Sequence, residues 1–125
     1  MSDPIADLII RLKNANLVDK NEVSMPHSNF KEAILGVMKQ NGYIIDVSSK
    51  SVKKKKNLKV KFTPNQFSHI RRLSKPGMRY YVKSKDIPNP LRGLGLVIVS
   101  TPEGLLSGKE ARKMKIGGEL ICEIW

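Results

Sequence analysis

The stretch from Val97 to Trp125 limits most strongly how this chain can fold. Val97 to Val99 is an apolar run typical of a strand, and the segment from Ser100 to Leu106 contains a proline and a glycine that favour a loop. Ser107 then begins a capping box with Glu110, in which the serine hydroxyl accepts a hydrogen bond from the backbone N–H three residues on. The pattern predicts a strand, a loop rich in hydroxyl groups and a capped helix in direct succession.

The same stretch predicts how that helix ends. Gly117 and Gly118 are the predicted end, because glycine accepts the left-handed conformation of a C-terminal cap. Leu120 to Trp125 then predicts a closing strand. We therefore expect one strand, loop, helix and strand unit at the C-terminal end.

Two amphipathic helices are predicted in the first half of the chain. Asp3 can cap a helix that begins at Pro4 and has apolar residues at helical spacing, namely Ile5, Leu8, Ile9 and Leu12. Ser28 can cap a second helix that ends at Asn41-Gly42 and has the apolar stripe Phe30, Ala33, Ile34, Val37 and Met38. Lys31 lies off this stripe in the first turn, where a positive charge opposes the helix dipole. We therefore expect an outside partner for Lys31, such as a phosphate.

Three short strands are predicted beside these helices: Glu22 to Met25, Tyr43 to Ser48 and Leu58 to Phe62. Lys53 to Lys56 forms the turn between the last two. A run of like charge at such a turn is consistent with a solvated, flexible tip and equally with a phosphate contact. Thr63 to Gln66 breaks the pattern and predicts a boundary between two subdomains, residues 1–64 and 67–125.

The second half predicts mostly strands. Ser74 to Gly77 is typical of a tight turn, with Pro and Gly at its second and third positions, and Arg79 to Lys83 predicts a strand. Tyr80 and Tyr81 then point to opposite faces, so one is expected to pack inward and the other to face a partner. Helices and strands segregated in this way predict the α+β class.

The charge of the chain indicates its kind of partner. The 125 residues include 23 Lys and Arg against 11 Asp and Glu, a formal net charge of +12, which favours a polyanion such as nucleic acid. We find neither a membrane-spanning run nor a secretory signal. Cys122 is the only cysteine and only two histidines occur, so we expect no disulfide, no metal and no cofactor. No nucleophile with a nearby base indicates an enzyme.

Three motifs in order resemble one protein family. The first combines Asp3-Pro4-Ile5-Ala6-Asp7 with Arg11-Leu12-Lys13-Asn14-Ala15, and the second is Lys75-Pro76-Gly77-Met78-Arg79-Tyr80-Tyr81. The third combines Ser100-Thr101-x-x-Gly104-x-x-Ser107 with Glu110-Ala111-Arg112-Lys113 and Gly117-Gly118-Glu119-Leu120-Ile121-Cys122. Together they resemble the bacterial family of small-subunit ribosomal protein eight over nearly the whole chain.

This resemblance implies a fold and a function. The fold would be two α+β subdomains packed in four layers: helix, sheet, sheet, helix. The protein would be a non-enzymatic constituent of the 30S subunit that binds the central domain of 16S ribosomal RNA and helps assemble the platform. Its partners would be ribosomal proteins five, twelve and seventeen and its own operon mRNA, whose translation it would repress, with no membrane and no small-molecule substrate. We expect a monomer when free, located in the ribosome of the cytoplasm, although the sequence does not separate this from an organellar ribosome.

Eleven residues are the candidate RNA-binding site. Those of the first half would contact phosphates, and the hydroxyl loop would recognise an irregular RNA feature, since A-form RNA hides its major groove. The candidates are Asn14, Lys31, Lys54, Lys55, Arg79, Tyr81, Ser100, Thr101, Gly104, Ser107 and Glu119. The alternative for the hydroxyl residues is a set of local caps. Pro102-Glu103 stands where the family commonly has Ser-Lys, and Gly108 where an acidic residue is common, so the loop lacks one hydroxyl and one positive charge.

Two other classes of function remain open from the residues alone. A DNA-binding regulator would need a basic recognition helix, and neither a helix-turn-helix nor coiled-coil heptads are evident. An enzyme acting on RNA would need an acid and base pair, which the sequence does not indicate.

Overall fold

Three helices and eight strands form two units in a computed structural model that describes residues 3–125. The first unit ends at Ser68 and contains α1 Pro4–Leu17, β1 Glu22–Pro26, α2 Asn29–Gln40, β2 Asp46–Val52 and β3 Lys55–Lys61. The second begins at His69 and contains β4 Ile70–Arg72, β5 Tyr81–Val82, β6 Leu96–Thr101, β7 Gly104–Ser107, α3 Gly108–Lys113 and β8 Gly118–Ile124. Short 3-10 turns span Ser84–Asp86 and Pro90–Gly93. The predicted α+β class is confirmed.

The division between the units follows Ser68. Phe67 and Ser68, which we assigned to the second subdomain, therefore belong to the first unit. The ring of Phe67 lies 5.8 Å from that of Phe62, and its carbonyl accepts a hydrogen bond from the Asn16 amide. Residues 1 and 2, which we included in the first subdomain, lie outside the described residues.

Each helix begins at its predicted cap. The Asp3 carboxylate accepts from the Ala6 N–H at 3.2 Å, and the Ser28 hydroxyl accepts from the Lys31 N–H at 3.0 Å. The Ser107 hydroxyl accepts from the Glu110 N–H at 3.1 Å. Each side chain satisfies a donor that the first turn of a helix otherwise leaves unpaired.

Each helix ends in a left-handed residue, but α3 does not end where we predicted. Gly42 closes α2 with φ 83°, whereas Asp19 closes α1 and Lys115 closes α3, with φ 56° and 59°. The N–H of Ile116 returns to the Ala111 carbonyl at 2.9 Å, which is the bond expected one residue after such a cap. The prediction that Gly117 and Gly118 end α3 was wrong, and these glycines have a packing role described below.

The first unit has a three-stranded antiparallel sheet in the order β1-β3-β2. Leu58 and Val60 of β3 are fully buried on one face of this sheet. Two boundaries differ from the prediction. β2 begins at Asp46 and not at Tyr43, because Tyr43 still bonds to the end of α2 through its N–H. Lys55 and Lys56 belong to β3, so only Lys53 and Lys54 form the turn.

The buried face of α2 also differs from the prediction. Its buried residues are Lys31, Ile34, Leu35, Val37 and Met38, whereas Ala33 is exposed and Phe30 is half-buried. The placement of Lys31 off the stripe was therefore wrong. Its ammonium group donates to the carboxylate of Asp7 and to the carbonyl of Pro26, so its charge has partners inside the unit.

Asp7 joins α1, α2 and the edge of the sheet. Its carboxylate accepts from Lys31 and, at 2.8 Å, from Arg11 Nε. These two cations also donate to carbonyls of the edge strand β1: Arg11 to Ser24 at 3.0 Å and Lys31 to Pro26 at 3.2 Å. Burial raises the pKa of Asp7, but the hydrogen bonds from Lys31 and Arg11 outweigh it and hold that pKa below its usual value. By holding these two cations in place, the Asp7 carboxylate keeps two carbonyls of the edge strand hydrogen-bonded. Those carbonyls are then less available for pairing with another chain.

The second unit has a five-stranded antiparallel sheet. Its order is β4-β8-β6-β7, and the short β5 pairs with β8 beside β4. Val97, Val99, Leu120 and Ile87 form a buried cluster with Ala111 of α3. A bulge in β8, opposite Ile98 and Val99, shifts the pairing of β6 with β8 by one residue. That shift determines which β8 side chains share the face of the candidate hydroxyls.

Within residues 3–125, no helix is both long and apolar enough to cross a membrane.

Candidate nucleic-acid interface

The candidate loop is a tight β-hairpin. Ser100 and Thr101 end β6, Gly104 begins β7, and only Pro102 and Glu103 lie between the paired residues Thr101 and Gly104. The prediction of a loop from Ser100 to Leu106 was therefore wrong, because the hydroxyl and glycine residues continue the ladder. Proline fixes a negative φ in the turn, and the positive φ of 110° falls on Gly104. The hairpin holds these backbone groups in one arrangement.

The Thr101 hydroxyl has its partners inside the hairpin. It donates to the Gly104 carbonyl at 2.8 Å and accepts from the Glu103 N–H at 3.1 Å. The half-buried Ser100 is different, since its hydroxyl makes no hydrogen bond to any other residue that the structure describes between 3 and 125. Ser100 is thus the hydroxyl available to a ligand, and Thr101 is the one that shapes the turn.

Ser100, Glu119 and Tyr81 form a row across three neighbouring strands. Ser100 pairs with Glu119 between β6 and β8, and Glu119 pairs with Tyr81 between β8 and β5. Directly opposed residues of antiparallel strands share one face, with Cβ atoms about 4.5–5.5 Å apart. We call these three residues the cross-strand row. It brings together side chains that are 38 positions apart in the sequence.

The bulge in β8 and two glycines make this row possible. Ile98 pairs with Cys122 but Val99 pairs with Leu120, so Ile121 is the extra residue. Without the bulge, Ser100 would oppose Leu120, because a one-residue slip reverses the faces. A methyl group on Gly118 would lie 2.1 Å from the Ser100 carbonyl oxygen, and one on Gly117 would lie 2.3 Å from the Val82 carbonyl oxygen. Both positions require glycine for this close approach.

Arg79 extends the surface around the cross-strand row. Arg79 Nη1 lies 3.2 Å from Glu119 Oε2, which orients the carboxylate and leaves the arginine side chain 56% exposed. Tyr81 is 70% and Tyr80 49% exposed, so the prediction that one tyrosine packs inward was wrong. β5 is only two residues long, and Tyr80 lies outside it. The row and Arg79 therefore present a hydroxyl, a carboxylate, a guanidinium and the aromatic ring of Tyr81 on one surface.

Ser107 is separate from this surface. It pairs with Ile98, is 3% exposed and caps α3. Its hydroxyl therefore acts as the local cap that we considered as the alternative. Gly104 is exposed beside Thr101 at the end of the hairpin.

The other four candidate residues belong to the first unit. Asn14 is exposed on α1 and lines a groove of about 440 Å³ with Arg11 and Ser24. Lys31 is buried with Asp7, while Lys54 and Lys55 are exposed at the turn between β2 and β3. Sequence reasoning missed the roles of Gly118 and of the bulge at Ile121. The Gly-Gly pair directly before an apolar strand was the available signal for Gly118.

Cys122 is buried and has no part in this surface. Burial raises the pKa of its thiol to about 12, and the neighbouring Glu123 adds to that rise. The thiol is therefore neutral and unreactive at pH 7. Among residues 3–125, no group of three or more His, Cys, Asp or Glu side chains is arranged to hold a metal ion.

Comparison with known proteins identifies the family. The family model described as ribosomal protein S8 matches residues 3–125. Small ribosomal subunit protein uS8 of Nitratidesulfovibrio vulgaris strain Miyazaki F is 48% identical over 125 residues, which cover 100% of this chain and 99% of that protein. The proteins of the same name from Mycoplasmopsis synoviae and Thermus aquaticus are 48% and 43% identical, with 100% of this chain and 98% and 99% of theirs covered. The resemblance seen in the motifs is confirmed: this chain belongs to the ribosomal protein S8 family.

Proposed function

We propose that this chain is a structural constituent of the small ribosomal subunit and binds ribosomal RNA through the cross-strand row and the adjoining hairpin. Family membership supports the coarser statement, since the relatives are named small ribosomal subunit proteins and the family is not one of enzymes. The observation that carries the finer one is the row itself, where the unpaired Ser100 hydroxyl lies beside Glu119 and the exposed Tyr81 ring.

The chemistry of the row suits an irregular RNA feature. A serine hydroxyl can donate to or accept from a 2′-hydroxyl or a base edge, and an exposed tyrosine ring can stack on an unpaired base. Glu119 can accept from a base amino group, but it would repel a phosphate. The row therefore favours splayed bases over a regular duplex.

Arg79 and Thr101 act on the row in different ways. Arg79 holds Glu119 and keeps an exposed guanidinium that can reach a phosphate. Thr101 fixes the turn with its two internal hydrogen bonds and so sets the position of Ser100 and of the Gly104 backbone. Ser107 contributes indirectly by starting α3.

The proposed RNA is the central domain of 16S ribosomal RNA, and binding there would help assemble the platform of the 30S subunit. The family resemblance supports this choice and the choice of neighbours, ribosomal proteins five, twelve and seventeen. An operon mRNA that reproduces the same irregular feature would be bound by the same row, which is the proposed route to repression of its own translation. The proposed location is the cytoplasmic ribosome.

The test removes the Ser100 hydroxyl. Ser100→Ala should weaken binding to a labelled transcript of the 16S central domain about tenfold, since it leaves an RNA group unpaired at a cost of roughly 1–3 kcal/mol. It should leave binding to a scrambled transcript of equal length unchanged, and it should not alter the melting temperature. Ser68→Ala, at an exposed serine of the first unit, is the matched control. If the parent does not prefer the central domain, or if Ser100→Ala binds it like the parent, the proposed function of the row is wrong.

A further inference from the structure

Ser74 is a polar residue buried in the second unit. The residue is only 2% exposed, and its hydroxyl accepts a hydrogen bond from the Tyr80 N–H at 2.9 Å. A buried hydroxyl is unfavourable unless it is hydrogen-bonded, so its partner indicates what the residue does. That partner is a backbone group between Arg79 and Tyr81, two residues of the candidate RNA-binding surface.

The chain leaves the edge of β8 at Ser74 and returns to it at Tyr80. The Ser74 N–H donates to the Leu120 carbonyl at 3.1 Å, and the Leu120 N–H donates to the Tyr80 carbonyl at 2.9 Å. Between them, Lys75 and Met78 close a turn through reciprocal backbone bonds of 2.8 and 3.0 Å. The Ser74 hydroxyl completes a ring of three hydrogen bonds that joins Ser74, Leu120 and Tyr80. This ring fixes the point at which the chain returns to the sheet.

The position of β5 depends on that point of return. β5 contains only Tyr81 and Val82, and a strand of two residues has little hold on its own position. Val82 packs against the buried cluster that contains Ala111, while Tyr81 follows Tyr80 directly and pairs with Glu119. The packing of Val82 on one side and the bond to the Tyr80 N–H on the other therefore hold Tyr81 opposite Glu119.

We propose that Ser74 is a positioning residue of the RNA-binding surface: its hydroxyl holds the Tyr80 N–H and so sets the Tyr81 ring and the Arg79 guanidinium relative to Glu119. This inference rests on the proposed function, because it requires that the cross-strand row binds RNA. Ser74 is buried and therefore acts through its neighbours and not by touching RNA. Without the hydroxyl, the Tyr80 N–H loses its acceptor, and the segment from Arg79 to Tyr81 must be ordered when RNA binds, at a cost in affinity.

Amide hydrogen exchange, measured by NMR, tests the bond in the free protein. Ser74→Ala should raise the exchange rate of the Tyr80 amide at least about tenfold above that of the parent, because a hydrogen-bonded amide exchanges only when its bond opens. An unchanged rate would show that the Ser74 hydroxyl does not hold this segment and would overturn the inference.

RNA binding tests the consequence. Ser74→Ala should bind a labelled transcript of the 16S central domain about fivefold more weakly than the parent. It should bind a 20-base-pair RNA duplex of arbitrary sequence, the arbitrary duplex, like the parent, because a duplex does not depend on the row.

The matched control is Ser28→Ala in the first unit. It also removes a serine hydroxyl that accepts from a backbone N–H, that of Lys31 at 3.0 Å. Both variants should lower the melting temperature by about 4 °C. Ser28→Ala should nevertheless keep the parental affinity for both RNAs. An equal loss of transcript binding in the two variants would show that the effect comes from stability alone, and the positioning role would be wrong.

A double-mutant cycle separates a positioning role from a structural one. In a protein that already has Arg79→Ala and Tyr81→Ala, the side chains that Ser74 positions are absent. Adding Ser74→Ala there should weaken transcript binding by less than about twofold, while its effect on the melting temperature persists. A further fivefold loss would overturn the inference. If Ser100→Ala loses transcript affinity but Ser74→Ala does not, this inference alone fails, whereas parental binding by Ser100→Ala overturns the proposed function as well.

Discussion

The β2–β3 hairpin of the first unit and the β6–β7 hairpin of the second have turns of the same length but of different chemistry. Each has two residues between its last paired positions, Lys53-Lys54 in the first unit and Pro102-Glu103 in the second. The first turn has strained, exposed cations, while the second has a proline, a carboxylate and a threonine hydroxyl bonded within the turn. A turn with exposed cations can attract any phosphate. A turn held by its own hydrogen bonds instead keeps its contact groups in one position. The difference suggests that affinity and selectivity are assigned to separate hairpins.

The largest expected effect would break the second hairpin alone. Gly118→Ala places a methyl group 2.1 Å from the Ser100 carbonyl, and the obstacle is backbone that cannot rotate away. We expect a loss of about 3 kcal/mol or more in the free energy of unfolding. Preference for the 16S central domain should disappear while duplex binding through the lysines remains. Chemical denaturation and RNA binding measure both effects.

A matched glycine in the first unit provides the control. Gly36 lies within α2, and a methyl group there would meet nothing within 4 Å. Gly36→Ala should raise the free energy of unfolding by about 0.5–1 kcal/mol, because alanine favours the helix. Equal destabilisation by both variants would contradict the packing role of Gly118.

The second prediction concerns the ion pairs that Asp7 makes with Lys31 and Arg11 in the first unit. Asp7→Asn removes the anion that holds Lys31 and Arg11, and the Lys31 side chain is only 6% exposed. We expect a loss of about 2–3 kcal/mol in the free energy of unfolding, below the range for a fully enclosed pair because Asp7 is 35% exposed. The slope of the logarithm of RNA affinity against the logarithm of salt concentration, which we call the salt slope, should equal that of the parent at temperatures where the variant is folded.

The same residue predicts a pH dependence. The pKa of Asp7 is lowered in the folded state, so its contribution to stability is complete above the unfolded pKa near 3.8 and is lost as pH falls through the folded pKa. The parent and Asp7→Asn should therefore converge in stability in acid. Acid denaturation followed by circular dichroism measures this, and a constant difference at every pH would contradict the ion-pair explanation.

A third, smaller effect distinguishes the role of the Thr101 hydroxyl from that of the Ser100 hydroxyl in the second hairpin. Thr101→Val removes both internal hydrogen bonds, so it should lower the free energy of unfolding by about 1 kcal/mol and also weaken binding to the 16S central domain. Thr101→Ser should restore both properties, since it keeps the hydroxyl. A Thr101→Val protein that melts like the parent would show that the turn does not depend on these bonds.

The smallest expected effect comes from a substitution that places a lysine in the turn of the second hairpin, as in the turn of the first. Glu103 is exposed in the turn. Glu103→Lys should raise affinity for every RNA a few-fold at low salt and steepen the salt slope by about one, with no change in melting temperature. Glu103→Gln should give about half of that gain. If affinity rose for the 16S central domain only, the turn would read bases and the comparison would need revision.

Sequence patterns predicted the features that depend on neighbouring residues. The caps at Asp3, Ser28 and Ser107 were correct, because a cap is a bond to the residue three positions on. The left-handed end of α3 at Lys115 was missed, since lysine has no preference for that conformation. The bulge at Ile121 was missed as well, because register depends on pairing between distant strands.

Charge was the least predictable property. No pattern of residues indicated that Lys31 would be buried against Asp7, which lies 24 positions earlier, or that Lys59 would pair with Glu22. Each pairing depends on how the helices and strands pack. Consequently, the net charge of the chain predicted a nucleic-acid partner but could not separate the ion-paired cations from the exposed ones at Lys53 and Lys54.

The salt dependence of two variants tests the assignment of affinity and selectivity most directly. Ser100→Ala and a Lys53→Asn, Lys54→Gly variant would each be titrated with the 16S central-domain transcript and with the arbitrary duplex from 50 to 200 mM salt. We predict that Ser100→Ala loses about tenfold on the transcript alone and keeps its slope, whereas the lysine variant loses affinity on both RNAs and its slope falls by about two. Equal changes of slope in the two variants, or a loss by the lysine variant on the transcript alone, would contradict the division between the two hairpins.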